Sequence, residues 1–326
     1  MRVLLTGSSG WLGRYLAPLL AQAGHRVIGL DVVPGPHTRL LGTVADRAFV
    51  ERAFADHGIE AVIHAGALHK PDIARYPRQA FVDVNITGTL NLIETAVAAG
   101  NDRFLFTSTT SLMVRSDVRE GAGPEGAWWM DEDFAPLEPR NIYGITKLAA
   151  EQFCRLAHRE HGIAALILRT GRFFPEDDDT HDVPSGENLK ANEFLGRRLT
   201  VEDAATAHLA ALEAAPAIGC DTFILSAPPP FAREDGAELA RDARSVIARY
   251  YPEAAELYDR RGWVLPERIE RVYDPARAER RLGWRAETDF AAVLAALAQD
   301  APLPFAHDPD YTSPIVAQRE TDPCTN

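Results

Sequence analysis

The chain has 326 residues, a formal net charge of −13, 46% hydrophobic residues and 25% charged residues. This composition is typical of a globular protein with one or two folded units, and the acidic balance argues against a nucleic-acid partner. No apolar run reaches membrane-spanning length, no signal peptide is evident, and the cysteines at 154, 220 and 324 have neither pairing nor metal spacing, so a cytoplasmic protein is expected.

Short apolar runs alternate with helical patterns through the first half of the chain. Strands are predicted at residues 2–5, 26–30, 61–64, 103–106 and 164–168. Helices are predicted at residues 11–23, 46–57, 81–99 and 143–161. This alternation predicts an α/β fold, in which a doubly wound parallel sheet of the Rossmann kind carries helices on both faces.

The remaining segments are less regular. Residues 121–139 are rich in Gly, Pro and acids and predict a long loop, and the similar segment 175–188 predicts a loop or a lid. Helices are predicted at 201–214 and 234–250 and a strand at 222–226, and the segments 274–282 and 289–298 close the folded part. From residue 301 the chain predicts a tail that either wraps around the protein or is disordered. The acid run at 176–179 is interpreted as a solvated loop, because its spacing matches no metal-binding loop, and no metal is expected.

A glycine-rich turn joins the first strand to the first helix, with the sequence Thr-Gly-Ser-Ser-Gly-Trp-Leu-Gly at residues 6–13. Such a turn presents backbone N–H groups at a helix N-terminus, where a pyrophosphate binds. Gly7 allows the tight turn, Gly10 lets the backbone approach the phosphates, and Gly13 lets the helix lie close to the strand. The predicted cofactor contacts of this turn are Gly7, Ser9, Gly10, Trp11, Leu12 and Gly13.

Asp31 ends the second predicted strand, where a carboxylate accepts hydrogen bonds from the adenosine ribose of a dinucleotide. A carboxylate repels a 2′-phosphate and no arginine follows it directly, so NAD is expected rather than NADP. Asp46 has two interpretations, a contact to the adenine amino group or the N-cap of the helix that it begins.

Tyr143 and Lys147 are four residues apart and therefore lie on the same face of a predicted helix. A lysine ammonium beside a phenol favours the phenolate and is expected to lower its pKa. The phenolate then takes a proton from a substrate alcohol while hydride leaves for the cofactor. Hydroxyls at residues 107–111 follow a buried strand, at the sheet edge where ligands bind, and include Thr107 and Thr109.

These motifs together resemble the extended short-chain dehydrogenases/reductases, and more narrowly the NAD-dependent sugar epimerase/dehydratase branch, over about residues 1–300. Further matching segments are residues 62–67, 84–89, 168–175 and 272–284. The resemblance implies that Thr109, Tyr143 and Lys147 are catalytic. It also implies cofactor contacts at Ala65, Ala67, Asn85, Gly171 and Arg172. A homodimer paired through helices 81–99 and 143–161 is expected on the same grounds.

Two departures from that family's pattern limit the reactions and substrates to be expected. The acid pair that dehydratases carry after the catalytic Thr is replaced by Thr110 and Ser111, which argues against dehydration. The segment 175–196 is short, which puts a nucleoside diphosphate handle in doubt and makes a free sugar or sugar acid credible. The candidate substrate contacts are Thr109, Thr110, Arg172, Lys190, Arg197 and Arg198, of which the cations suit a carboxylate or phosphate.

The sequence therefore predicts a Rossmann domain for NAD at residues 1–170, a small substrate lobe interleaved with it at 171–300, and a tail at 301–326. The predicted activity is that of an NAD-dependent epimerase or oxidoreductase acting on a hydroxyl of a carbohydrate-like small molecule. A net dehydrogenase of a free uronic acid is the alternative, and an NAD-sensing protein without turnover is a third hypothesis. The motifs do not decide between the first two, since epimerisation needs a cofactor that stays bound and net oxidation needs one that exchanges.

Overall fold

The computed structural model describes residues 1–177, 186–314 and 316–317. The strands are β1 (Arg2–Thr6), β2 (Arg26–Asp31), β3 (Thr38–Leu41), β4 (Ala61–His64), β5 (Arg103–Thr109), β6 (Trp128–Met130), β7 (Ala164–Thr170), β8 (Cys220–Leu225) and β9 (Arg271–Tyr273). The helices are α1 (Trp11–Gln22), α2 (Arg47–His57), α3 (Arg78–Phe81), α4 (Gly88–Ala98), α5 (Ser116–Glu120), α6 (Ile142–His161), α7 (Gly186–Glu193), α8 (Val201–Ile218), α9 (Gly236–Leu239), α10 (Ala243–Tyr250), α11 (Ala254–Arg260), α12 (Ala276–Leu282) and α13 (Phe290–Ala298). A π-helical segment, Val82–Thr87, joins α3 to α4.

Seven strands form one parallel sheet in the order β3-β2-β1-β4-β5-β7-β8. The strand order reverses direction on either side of β1, as in a doubly wound fold, and the predicted fold class is confirmed. Because all seven strands run the same way, their carboxyl ends meet at one edge. The loops that follow β1, β4, β5 and β7 therefore lie together there.

The two faces of the sheet are covered by separate hydrophobic layers. Val3 and Leu5 of β1 pack into a core with α1 and α8, whereas Leu4 points into a second core with α2, α4 and α6. Side chains alternate between the faces of a strand, so a strand covered on both faces is apolar at every position. Full burial of each such side chain contributes about 1.5–3 kcal/mol.

Three predicted segments differ from the structure. The helix predicted at 234–250 is broken into α9 and α10, because Asp242 accepts a hydrogen bond from the Ser245 N–H and begins a new helix. The loop predicted at 121–139 contains β6, which pairs in parallel with β9 in a small second sheet. The lid predicted at 175–188 lies partly outside the described residues, and its described end begins α7.

The end of the chain wraps back over the body of the protein as far as the structure describes it. The Asp308 N–H donates to the Pro175 carbonyl at 3.0 Å. The ring of Tyr311 lies edge-on to that of Trp11, with centroids 5.1 Å apart. Residues 318–326 of the predicted tail lie outside the described residues. Within the described part, no helix combines the length and apolar character that crossing a membrane requires.

Two buried histidines make the stability of the fold depend on pH. Burial lowers the pKa of His64 to about 3 and that of His208 to about 4. An unfolded chain binds these protons near pH 6.5, so the free energy of unfolding falls as the pH drops below that value. Each histidine contributes up to about 1.4 kcal/mol per pH unit until its folded pKa is reached.

We therefore expect His208→Gln to flatten the dependence of unfolding free energy on pH between about pH 6 and pH 4.5 by about 1 kcal/mol per unit. Glutamine keeps a donor and an acceptor for Ala204 and Thr107, which His208 contacts at 2.7 and 2.8 Å. Urea unfolding at a series of pH values measures the slope. The exposed His161 provides the control substitution, and equal slopes for wild type and His208→Gln would contradict the expectation.

Candidate functional site

One cavity of about 1020 Å³ lies along the carboxyl edge of the sheet. Most of the residues predicted for a cofactor or substrate site line it: Gly7, Gly10, Trp11, Leu12, Asp31, Ala65, Ala67, Thr107, Thr109, Thr110, Tyr143, Lys147, Gly171, Arg172 and Arg197. Six others do not line it: Ser9, Gly13, Asp46, Asn85, Lys190 and Arg198. The structure thus brings the predicted cofactor residues and the predicted catalytic residues together in one cavity. The six residues named last lie outside its lining.

The glycine turn forms one end of the cavity. Gly7 has a φ of +74°, and a Cβ there would lie 2.8 Å from the backbone nitrogen of Gly66. A Cβ on Gly13 would overlap the Gly7 carbonyl, so Gly13 is required by the turn itself and makes no contact with the cavity. Trp11 and Leu12 begin α1, and the first N–H groups of a helix have no partner within it. This end of the cavity is suited to an anion such as a pyrophosphate.

Asp31 lies beside the glycine turn in a fixed orientation. Its carboxylate accepts hydrogen bonds from the N–H groups of Ser9 at 2.9 Å, Val32 at 2.7 Å and Val33 at 3.3 Å. Burial nevertheless raises the pKa of Asp31 above its usual range. A carboxylate has about four acceptor sites, so one remains for a ribose hydroxyl. Ser9, predicted to contact the cofactor, instead connects the turn to Asp31.

Thr109, Tyr143 and Lys147 meet in the middle of the cavity. Thr109 ends β5, Tyr143 lies in the first turn of α6, and Lys147 lies one turn further along that helix. The Thr109 hydroxyl accepts a hydrogen bond from the Ser111 N–H at 3.1 Å and lies beside the Tyr143 phenol, whose ionised form it favours. The Lys147 ammonium lies 4.0 Å from the centre of the Phe106 ring, a cation–π contact.

The pKa of Tyr143 differs from the sequence-based expectation. Burial raises it to about 12, with Thr109 acting in the opposite direction, whereas a lowered value was expected from Lys147. Burial also lowers the pKa of Lys147 to about 7, although Glu151 favours its charged form. Desolvation penalises the charged forms of both groups and is the largest cause of each shift in pKa.

Asn85 lies outside the cavity lining and connects the loop after β4 to α6, which both contribute to the cavity wall. Its side chain accepts from the Leu68 N–H at 2.9 Å and donates to the Leu68 carbonyl at 3.0 Å. It also donates to the Thr146 hydroxyl on α6 at 3.1 Å. The expected cofactor contact is therefore replaced by a link between the loop after β4 and the helix that carries Tyr143.

Of the two interpretations of Asp46, the structure supports the helix N-cap. Its side chain accepts from the Phe49 N–H at 3.0 Å and caps α2, and the residue lies outside the cavity wall. Thr107 does face the cavity, with its hydroxyl held 2.8 Å from Nε2 of the buried His208.

Two of the four candidate substrate cations are already paired with other groups of the protein. Arg198 is 1% exposed and donates to Glu193 at 2.7 Å and to the Phe174 carbonyl at 2.7 Å. Lys190 is buried against His307 at 2.6 Å and the Pro175 carbonyl. The structure overturns their assignment as substrate contacts, while Arg172 and Arg197 remain in the wall.

Many residues of the cavity wall were not predicted from the sequence, among them His69, Arg271 and Tyr311. The ring of His69 lies 5.8 Å from that of Tyr143 and 5.7 Å from that of Phe174. Arg271 and Tyr311 enter the wall from β9 and from the end of the chain. His69 could have been found from its position just after β4, at the ligand-binding edge, whereas Arg271 and Tyr311 carry no local signal. Among the described residues, no group of three or more His, Cys, Asp or Glu side chains is arranged to hold a metal ion.

Comparison with known proteins places this geometry in a family. Residues 3–221 match the model of the NAD dependent epimerase/dehydratase family. The chain is 29% identical to a UDP-glucose 4-epimerase of Azospirillum brasilense over 177 residues, which is 52% of this chain and 48% of that enzyme. It therefore spans about half the length of that relative.

Two further proteins extend the comparison. An L-arabinose 1-dehydrogenase (NAD(P)(+)) of Haloferax volcanii is 31% identical over 197 residues, 58% of this chain and 73% of that enzyme. A uronate dehydrogenase variant of Agrobacterium tumefaciens, solved in complex with NAD, superposes with a TM-score of 0.61 at 21% identity and covers 95% of this chain and 92% of its own. The family match takes in more than half of the chain and agrees with the glycine turn, Asp31 and the parallel sheet, so this protein belongs to the NAD-dependent epimerase/dehydratase family.

Proposed function

We propose that this protein catalyses NAD-dependent redox chemistry on a hydroxyl group of a carbohydrate-like small molecule. The observation that carries the proposal is a single cavity that joins the glycine turn and Asp31 to Thr109, Tyr143 and Lys147. Relatives that are named as a sugar epimerase and a sugar dehydrogenase support the same class of substrate.

The residues present fit NAD. The glycine turn and the start of α1 would hold the pyrophosphate, Asp31 the adenosine ribose, and Lys147 the nicotinamide ribose. When bound, NAD supplies a reversible hydride acceptor whose positive charge favours the phenolate. Its adenosine end is expected to lack a 2′-phosphate, because the Asp31 carboxylate would repel one.

In the proposed mechanism Tyr143 removes the proton of the substrate hydroxyl and Thr109 hydrogen-bonds the same oxygen. Both residues line the cavity, and Thr109 favours the ionised form of the Tyr143 phenol. Lys147, when protonated, stabilises the phenolate that forms. All three residues are buried, so each interaction is stronger than it would be on the surface.

Dehydration is not proposed. The positions that follow Thr109 are Thr110 and Ser111, and both line the cavity. Thr110 donates to the Thr170 carbonyl at 3.2 Å. Neither hydroxyl titrates in the range in which a general acid and base for water loss must operate.

Epimerisation is the favoured outcome and net oxidation the alternative, which the similarity to an L-arabinose 1-dehydrogenase supports. The test is a panel of free uronic acids, neutral sugars and nucleotide sugars, each incubated with the protein and NAD. An isomer formed at constant NADH absorbance indicates epimerisation, and accumulating NADH indicates net oxidation. If no carbohydrate reacts although the protein binds NADH, the proposed function is wrong.

We also propose a cytoplasmic homodimer. Ile145 and Leu156 on α6 are 51% and 39% exposed, although α6 packs against α4 within the chain. An apolar strip on the open side of this helix pair suits a second copy. The mass of the protein in solution tests this assembly.

A further inference from the structure

The end of the chain forms part of the cavity wall. We call residues 307–314 the strap. Its residues in the wall are Pro309, Tyr311, Thr312, Ser313 and Pro314. A ligand in the cavity therefore lies against a segment that is far in sequence from the glycine turn and from the catalytic residues.

The strap is fixed at its beginning to elements that follow β7. Phe305, just before the strap, is buried in the hydrophobic core. The Nδ1 atom of His307 lies 2.6 Å from the Lys190 ammonium on α7. The N–H of Asp308 donates to the Pro175 carbonyl at 3.0 Å. The first two residues of the strap are thus held on the side of the cavity where β7 ends.

Tyr311 carries the strap to the opposite side of the cavity. Its ring lies edge-on to that of Trp11, with centroids 5.1 Å apart, and burial raises the pKa of its phenol to about 12. Trp11 begins α1, where the pyrophosphate is expected to bind. In the sheet, β4 and β5 lie between β1, which precedes α1, and β7. The strap therefore crosses the carboxyl edge of the sheet and ends its crossing beside the pyrophosphate position.

The two halves of the strap are attached in different ways. Among the described residues, the hydrogen bonds printed by the geometry of residues 309–314 stay within the end of the chain, as from the Tyr311 N–H to the Asp308 carbonyl at 3.1 Å. Packing of Tyr311 on Trp11 is what joins this half to the glycine turn. One aromatic pair changes an opening equilibrium by about tenfold, so this half is the one that can open.

We propose that the strap closes over bound NAD and retains it, and that the contact of Tyr311 with Trp11 keeps the strap closed. NAD enters or leaves when this contact breaks, while His307 and Asp308 stay in place. The proposal depends on the cofactor and not on which hydroxyl reacts. A cofactor that is retained between turnovers suits epimerisation, in which the hydride returns to the same substrate molecule.

The test is stopped-flow fluorescence of NADH binding and release in the absence of substrate. Tyr311→Ala should raise the rate constants of both dissociation and association by about tenfold, because a closed strap obstructs both directions. The Kd for NADH should therefore change less than either rate constant. Tyr311→Phe keeps the ring and should retain nearly wild-type rates. Tyr250→Ala is the matched control, because Tyr250 is exposed on α10 and lies outside the cavity wall.

Hydrogen exchange of the wild-type protein provides a second measurement. Saturating NADH should slow the exchange of amide protons in the strap and leave those of the exposed face of α10 unchanged. The proposal is disproved if NADH does not slow exchange in the strap, or if Tyr311→Ala leaves both rate constants unchanged. A rise in the dissociation rate constant alone would identify Tyr311 as an ordinary cofactor contact and would also overturn the proposal.

These outcomes are independent of the proposed function. A strap that fails both tests leaves the redox chemistry of the carbohydrate panel untouched. Retention of NADH by Tyr311 without turnover of any carbohydrate would keep the strap and reject the proposed function.

Discussion

Replacing Tyr143 with phenylalanine is expected to lower kcat by about 10²–10⁴-fold while the affinity for NADH changes little. The phenol oxygen is the proposed proton acceptor and lies beside Thr109 in the cavity wall. The ring itself packs with Leu68 and Phe81, and phenylalanine keeps that packing. The loss should therefore fall on the chemical step rather than on folding or cofactor binding.

Steady-state kinetics on the substrate found in the carbohydrate panel, together with NADH fluorescence titration, measure this effect. Tyr250→Phe is the control, because Tyr250 is 41% exposed on α10 and its hydroxyl donates to Asp235, outside the cavity wall. Full activity of Tyr143→Phe would show that another group takes the proton. A matching loss of NADH affinity would instead point to a structural role.

The second large effect is expected in stability, at Glu151. This residue lies on α6, two turns beyond Tyr143, and is fully buried. It accepts two hydrogen bonds from Arg169 at 2.9 and 2.8 Å and a third from Ser108 at 2.7 Å. Burial alone would raise the pKa of Glu151, but Arg169 and Arg155 hold it below its usual range. Its contribution to stability is therefore present above about pH 4.3 and is lost as the pH falls through the lower folded value.

Glu151→Leu should lower the free energy of unfolding by about 3–5 kcal/mol at neutral pH, because it leaves the Arg169 guanidinium buried and unpaired. The double variant Glu151→Leu/Arg169→Met should recover most of that loss, since a paired charge can be exchanged for packed apolar side chains. Glu51→Ala, in the exposed Arg47–Glu51 pair, is the control and should cost less than about 1 kcal/mol. Urea unfolding measures all three, and a loss below about 1 kcal/mol for Glu151→Leu would contradict the argument.

Local sequence patterns were sufficient to predict the elements of this fold that depend only on residues near one another in the chain. The strand at 61–64, the glycine turn and the Tyr143–Lys147 helix face follow from apolar runs, glycine spacing and helical periodicity. Asp46 shows the limit of such reasoning, since a helix cap and a ligand contact require the same residue type in the same place. The tertiary structure alone decided between them.

The errors concern residues whose role depends on contacts that form only in the folded chain. Lys190 and Arg198 carry the positive charge expected of substrate contacts. In the folded protein, however, Lys190 is hydrogen-bonded to His307 and Arg198 to Glu193. Arg271 carries no motif, and its exposure to the cavity arises because β9 pairs with β6. The pKa of Tyr143 was misjudged for a related reason, because sequence spacing reveals a neighbouring charge but not the extent of burial.

The pairing of β6 with β9 also bears on the order in which the molecule folds. Trp129 of β6 donates a hydrogen bond to Asp274, just after β9, across 145 positions of sequence. Closing so long a loop costs entropy and delays the contacts that depend on it. The glycine turn and Asp31 need only β1, α1 and β2, which are contiguous in the chain. During refolding, amide protons of the dinucleotide-binding half should therefore become protected from exchange before those of β6 and β9, so that the part of the cavity wall that β9 forms is assembled onto a half-site that already exists.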